Sequence, residues 1–295
     1  FQRAIDQLFI HPATKGDKRS SVELIIEPGV YVIHQTIYLP PFATLIGAGA
    51  DKTVIQFEGT GPVFQTVNEL SQPGIPAIDE VSVDSATTYN NQPRHITVSG
   101  MTLTHANNGV GLHLSSCSYS IFEDLNIRGS WSIGDPIDSI DHGVMPTSTG
   151  ILLDSLSQVV RTHHNKITNC NISNWSYGIG GNQNITENVI DGCELSTLGK
   201  GVVFGVQLNG DNEIPANNII SNSSFNNIHS QGIRIANGKN NLSHNNTFIG
   251  VGNYGGNEYL SVTPVIEFDV ITNESVNDYF NRTKLLREEF TVEST

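Results

Sequence analysis

Short apolar stretches recur along the chain at nearly even intervals. One series reads ITVSGMTL (96–103), SIFEDLNI (120–127), KITNCNI (166–172), VIDGCEL (189–195), IISNSSF (219–225) and NLSHNNTF (241–248). Each is followed, after a turn, by a second strand: GVGLHL (109–114), GILLD (150–154), GIGGN (178–182), GVVFG (201–205), GIRIA (232–236) and PVIEFD (264–269). Ile167 to Ile179 and Ile190 to Val202 are each 12 residues; Val98 to Phe122 is 24 and Ile167 to Ile190 is 23. A period in the low twenties, built from strands too short to form a sheet alone, marks a solenoid. Alternation within each strand turns one side inward. The pattern predicts an all-β fold, a single-stranded right-handed parallel β-helix of roughly eight or nine coils.

In such a fold equivalent residues stack ~4.8 Å apart, so each level demands the same residue class rather than the same residue. Cys170 and Cys193 are equivalent. A stack of small buried thiols is the favoured reading over a disulfide between coils. Metal binding ranks lower still, since no His or third Cys shares the spacing. Asn188, Asn218 and Asn241 stand near turns and are expected to cap backbone groups there. At the N-terminus, FQRAIDQLF places Phe1, Ile5, Leu8 and Phe9 on one helical face, a capping helix over 1–10 that covers the end of the core. VELIIEPGVYVI, QTIYLPPFATLIGAG and KTVIQFEG supply the first coils; GAGA (47–50) lacks the features of a phosphate loop and reads as a corner. SVNDYFNRTKLLREEF (275–290) has Val276, Tyr279, Phe280 and Leu286 at helical spacing, with Ser275 as N-cap. This predicts a β-helix domain over 1–270 and a C-terminal helical cap or linker over 271–295.

Composition narrows the partners. The chain has 295 residues and a net charge of −14, from 15 Lys plus Arg against 29 Asp plus Glu. That balance argues against nucleic acid and against adhesion to an anionic membrane. No apolar run approaches the ~18–20 residues of a membrane span. Three cysteines make no disulfide framework. The chain opens on Phe1, inside a helical pattern, and is expected to be a processed or excerpted segment.

Departures from the repeat mark the candidate site. Insertions at 128–149 and 251–263 fall at the same bend, just before the Gly-led strands; further excursions lie at 71–93 and 209–216. Loops at one bend on successive coils form walls beside one sheet. In the Gly-led strands the outward alternation carries His113, Asp154, Asn182, Gln207, Arg234, Glu267 and Asp269. This polar stripe suits a carbohydrate, or is an ordinary solvated face. Trp131, Trp175, Tyr177, Tyr254 and Tyr259 border the same bend, as flat platforms for sugar C–H faces or as plugs between loops and coils.

The short amphipathic helix followed by IIEPGVYVI, LPPFATLIGAG and TVIQF, with the later I-x-N-x-x-I … G-I-x-L coils, resembles the pectate-lyase-like β-helix superfamily. The likeness spans roughly 1–270 and is strongest to the branch of bacteriophage tailspikes and polysaccharide depolymerases. It is specific for fold; the superfamily holds lyases, hydrolases, epimerases and non-catalytic adhesins, and no catalytic motif of pectate lyases is present to carry over. The resemblance implies an extracellular, virion-tail protein, assembled as a homotrimer with other tail proteins. It further implies a surface polysaccharide or lipopolysaccharide glycan bound in the groove.

Chemistry is read from the residues. Asp135, Asp138, Asp141 and His142 crowd one loop. The three aspartates are a candidate Ca²⁺ site without EF-hand spacing, a source of general acid or base, or a solvated acidic loop. No other cofactor is expected. Glycoside hydrolysis needs two carboxylates, ~5–5.5 Å apart for retention and ~6.5–9.5 Å for inversion. Asp154, Glu267, Asp138 and Asp141 are the carboxylate candidates, and His113 a candidate base. Asn182, Gln207, Arg234 and His142 join the aromatic residues as candidate sugar contacts. Elimination from a uronic acid would draw on Arg234 and His113, but the negative net charge disfavours polyanionic substrates unless Ca²⁺ bridges, so hydrolysis of a neutral or mildly charged glycan is favoured. The reading is a tailspike or tail-fibre domain that binds and cleaves host glycan. The alternatives are a non-catalytic adhesive β-helix and a secreted microbial polysaccharide lyase or hydrolase.

Overall fold

The computed structural model of the chain describes residues 1–5, 23–66, 92–133, 135–137, 148–155, 161–181, 184–205, 214–252, 266–268 and 273–281. Every strand pairing among them is parallel, and strands pair with their equivalents one coil away. Residues 166–172 and 189–195 are stacked neighbours, with Ile167 opposite Ile190 and Asn171 opposite Glu194. The fold is a parallel β-helix with three faces. On the first face, nine described strands stack from Leu24–Ile26 to Glu274–Val276. The second runs from Gly29–Ile33 to Tyr279–Asn281. The third is an eight-stranded sheet made of Ile37–Leu39, Pro62–Thr66, Val110–Ser115, Thr149–Asp154, Tyr177–Gly181, Lys200–Phe204, Ile233–Ile235 and Ile266–Phe268.

Two strands per coil are legible in the sequence, whereas the structure has three. Each segment of the first series bends in its middle at one left-handed residue: Gly100, Asp124, Asn169, Gly192, Asn222 and Asn245 have φ between 50° and 64°. Glycine, asparagine and aspartate tolerate that conformation better than other residues. The bend shifts the alternation by one, so Ile167, Cys170 and Ile172 all face the core, as do Ile190, Cys193 and Leu195. The Cys170 and Cys193 thiols form no disulfide and are buried at equivalent positions on adjacent coils, as the repeat predicts. Hydrogen bonding with the Cys193 thiol, and then burial, push Cys170 well above the ordinary thiol range. Burial pushes Cys117 up to about 12.

The turn asparagines form a continuous buried ladder. Nδ2 of Asn165 donates to Oδ1 of Asn188 (2.9 Å), Asn188 to Asn218 (3.0 Å), Asn218 to Asn241 (2.9 Å) and Asn241 to Asn273 (2.9 Å). Each Oδ1 also accepts the backbone N–H of the asparagine below, for example Asn188 N–H to Asn218 Oδ1 at 3.0 Å. The ladder thereby satisfies backbone donors that the bend removes from the sheet.

The Gly-led strands of the third face begin with glycine because their backbones lie too close for a side chain. A Cβ at Gly201 would lie 2.2 Å from the Gly232 carbonyl oxygen and 2.8 Å from the Phe225 ring.

At the N-terminus, a helix over Gln2–Ile5 buries Ile5 in the core. The Gln2 amide caps the strand edge in both directions: its Nε2 donates to Tyr38 O (3.0 Å) while Oε1 accepts from Tyr38 N–H (2.7 Å). Leu8 and Phe9 lie outside the described residues. At the other end the expectation of a helix from Ser275 is corrected. Glu274–Val276 and Tyr279–Asn281 are strands that add another rung to the first and second faces. Phe280 pairs in register with Phe248, which in turn stands over Phe225, and Asp278 Oδ1 accepts from Asn246 N–H, so the coil repeat outweighs the helical spacing. Leu286 lies outside the described residues.

Candidate functional site

The third face carries the predicted polar stripe, and its register decides which members meet. Gln65, His113, Leu152, Gly180, Val203, Arg234 and Glu267 form one row across successive strands. His113 and Asp154, on adjacent coils, come together: His113 Nε2 lies 2.9 Å from Asp154 Oδ2. Their side chains are 17% and 32% exposed, so the pair is sheltered yet reachable from solvent. The other carboxylate oxygen, Asp154 Oδ1, is buried and has no hydrogen-bond partner among the described residues. Asp154 is held from its backbone, whose carbonyl accepts from Ser116 N–H (3.0 Å) and from the Thr162 hydroxyl. A buried carboxylate oxygen without a donor is costly, about 1–3 kcal/mol or more for a charged group, and is the kind of feature that functional sites retain.

The stripe is not continuous, which corrects the sequence reading. Between His113 and Arg234 the row passes through Leu152, Gly180 and Val203. Leu152 and Val203 are 7% and 1% exposed although they lie outside the contiguous core, so the middle of this face is covered. Asp154 and Glu267 are four rungs apart, about 19 Å at ~4.8 Å per rung. At the backbone these two positions stand farther apart than the carboxylates of either glycosidase geometry.

The aromatic platforms are also corrected. Trp131, Trp175 and Tyr177 are all buried. Trp175 belongs to the core, where its Nε1 donates to Ile127 O at 3.1 Å. Trp131 Nε1 donates to Pro136 O (3.1 Å), its backbone N–H to Asn174 O (2.9 Å), and its ring meets His229 edge-on at 6.5 Å. Burial lowers the His229 imidazole below the usual histidine range. The Tyr177 ring lies under Lys200 Nζ, 5.4 Å from its centroid. These rings plug the junction of loop and coil, because glycines at 111, 129 and 150 open space beside Trp175 that only a large ring fills. Asp135 Oδ2 accepts from Ser132 N–H at 2.8 Å, closing a local turn. Asp138, Asp141, His142, Asn182, Gln207, Tyr254, Tyr259 and Asp269 lie outside the described residues, as do most of the insertions at 71–93, 128–149 and 251–263.

A second concavity was not singled out from the sequence. The left-handed corner between the first and second faces encloses an open cleft of about 660 Å³, lined among others by Asp51, Ser99, Asp124, Asn126, Asn169 and Asn171. Its signal is the left-handed Gly100, Asp124 and Asn169, visible only once the bend inside each apolar segment is known.

No family profile and no curated protein matches the chain. Solved structures do. The chain is similar to ORF18 of Geobacillus virus E2 (13% identity, TM-score 0.53), covering 95% of this chain and 56% of that one. It is similar to the alginate lyase of Paenibacillus sp. str. FPU-7 (12% identity, TM-score 0.54), covering 95% and 91%. It is also similar to the catalytic domain of a GH87 α-1,3-glucanase in complex with nigerose (13% identity, TM-score 0.55), covering 88% and 49%. The chain thus spans about half the length of the viral and glucanase chains. At these identities the likeness establishes the fold alone, a parallel β-helix. Among the described residues no helix is long and apolar enough to cross a membrane.

Proposed function

We propose that this chain is the β-helix domain of an extracellular viral tail protein, a homotrimeric tailspike or fibre that binds a surface polysaccharide of its host and cleaves it at the third face. The observation that carries the reading is the sheltered His113–Asp154 pair with its unpartnered carboxylate oxygen. In this site Asp154 Oδ2 orients the His113 imidazole towards the bound glycan. His113, held by Asp154, takes a proton from the attacking water as the water oxygen bonds to the anomeric carbon, and returns a proton to the glycosidic oxygen as the C–O bond breaks. The negative net charge supports a neutral or weakly charged glycan rather than a polyanion. The viral and polysaccharide-degrading proteins of the same fold support the assignment by analogy.

The test is release of reducing ends from a panel of bacterial surface polysaccharides by the whole chain, with ultraviolet absorbance of unsaturated ends monitored in parallel. Asp154→Asn and His113→Gln should each slow release by about 10²–10⁴-fold, the usual contribution of a positioned acid or base, with glycan binding retained. Cleavage at the parental rate in Asp154→Asn removes this site from the chemistry. Binding without release from any panel member instead supports the adhesive reading, and unsaturated ends convert the hydrolase into a lyase.

A further inference from the structure

A separate corner of the solenoid gathers three metal-ligating groups. Nδ1 of His163 lies 2.8 Å from Nδ1 of His164, and His164 Nδ1 lies 3.2 Å from Glu187 Oε2. The three ligand atoms all fall within 4.8 Å of one another. We propose that His163, His164 and Glu187 form a binding site for a divalent transition metal of the zinc class, with solvent completing the coordination.

The site follows from the backbone. In an extended strand consecutive side chains point to opposite sides, so His163 and His164 should diverge. His164 instead has φ 53°, in the left-handed region, and this turn at the corner lets both imidazoles face one point. Glu187, at φ 58°, occupies the equivalent position one coil on, as the pairing of His163 with Thr186 fixes. Tyr119, at the same position one coil earlier, packs on both rings: stacked on His164 at 4.8 Å and edge-on to His163 at 5.2 Å. The rings are therefore held before any ligand arrives. His163 is half-buried, while His164 and Glu187 are exposed, so an ion has access.

Hydrogen-bond accounting shows what this convergence lacks. A neutral imidazole carries one N–H, and a carboxylate carries none. Protons on both Nδ1 atoms would collide across 2.8 Å, so at most one proton serves three electron-rich atoms. A single cation in its place satisfies all three lone pairs, and its binding releases the shared proton. Zinc bonds of ~2.0–2.2 Å put neighbouring ligands of a tetrahedral site about 3.3 Å apart. The His164–Glu187 spacing already matches, and the two imidazoles need to open by only about half an ångström. Two imidazoles with one carboxylate suit zinc and its transition-metal neighbours rather than calcium or magnesium, which take oxygen ligands. Because the ligands come from two coils, the bound ion ties adjacent rungs together at a bend.

Isothermal titration of the metal-free whole chain with Zn²⁺ tests the proposal, with Co²⁺ as a spectroscopic substitute. The expected result is one zinc per chain, a Co²⁺ d–d absorption typical of nitrogen and oxygen ligands, and no displacement by excess Ca²⁺. His163→Gln with His164→Gln should abolish both signals, and Glu187→Gln should weaken binding at least tenfold. Zinc at about one hundred times its dissociation constant should lower the unfolding equilibrium constant about 100-fold in the parental chain and leave the double variant unmoved. The metal-free double variant should melt close to the parental temperature, which separates lost ligation from lost folding. Absence of zinc binding to the folded chain overturns the proposal. So does one-to-one binding that persists in the double variant, because the ion then sits on other histidines.

Discussion

Asn218 shows what a single residue does in this architecture. Its Oδ1 accepts from both the backbone N–H (3.0 Å) and the Nδ2 (3.0 Å) of Asn188, while its own Nδ2 donates to Ile185 O (3.0 Å) and to Asn241 Oδ1 (2.9 Å). All of these atoms belong to buried groups. Leucine has nearly the same shape but no polar atoms, so Asn218→Leu leaves the Asn188 N–H without an acceptor in the interior. An unsatisfied buried donor costs about 1–3 kcal/mol, and the severed ladder adds to it. Asn218→Leu should lower unfolding stability in urea by about 2–3 kcal/mol; a loss under 0.5 kcal/mol would mean that the ladder relaxes around the gap.

At the scale of the element, the glycine at the start of the Gly-led third-face strands controls how closely the rungs pack. Gly178 and Gly201 follow one another on adjacent coils; a Cβ at Gly178 would come 2.7 Å from Leu198 Cδ1 and 2.8 Å from the Gly201 carbonyl oxygen. At Gly201 the nearest atoms are backbone oxygen and an aromatic ring, neither of which yields easily. Overpacking of this kind costs roughly 1–3 kcal/mol, occasionally more. Gly201→Ala should therefore destabilise the chain by about 3 kcal/mol, in contrast to the small stabilisation that Gly→Ala brings at an unstrained position. Denaturant midpoints of the two proteins measure it. His113 and Asp154 lie on two other strands of the same sheet, Val110–Ser115 and Thr149–Asp154, each with a glycine at its second position.

For the molecule as a whole, acid should loosen the fold through its histidines. His105 is buried against Phe57 and Trp175, with ring centroids 4.9 and 6.1 Å away. Its Nε2 is 2.9 Å from Gly61 O, and Nδ1 accepts from Asn107 N–H at 3.1 Å, an arrangement that suits the neutral Nε2–H tautomer. Burial lowers its pKa from 6.5, more than the hydrogen bond to Gly61 raises it. The unfolded chain therefore binds more protons below pH 6.5 than the native one does. The stability is fully present above that pH and falls as the pH drops through it toward the native value. The melting temperature of the parental chain should decline on acidification below about 6.5, and His105→Gln should decline less steeply. Parallel pH profiles for the two would show that His105 carries none of the effect. His95, His163 and His229 are shifted in the same direction, burial being the first cause in each, so they add to the overall slope.

The sequence by itself determined the solenoid and the register of its central coils, because stacking forces the same residue class to recur at each level and a repeat is visible without coordinates. The intervals from Ile167 to Ile190 and from Val98 to Phe122 are pairings in the structure. The turn asparagines were legible for the same reason. Only the tertiary structure decided that the first series makes two faces rather than one, since a single left-handed residue bends a segment that otherwise reads as one strand. It also decided that Trp131, Trp175 and Tyr177 are interior, because an aromatic ring at a bend reads alike whether it plugs a gap or faces solvent. The union of His113 with Asp154 and of His163 and His164 with Glu187 required the stacking distance between coils. Side chains 41 and 23 residues apart become neighbours when a rung repeats at ~4.8 Å, and no local pattern announces which of the many polar positions on a rung will meet.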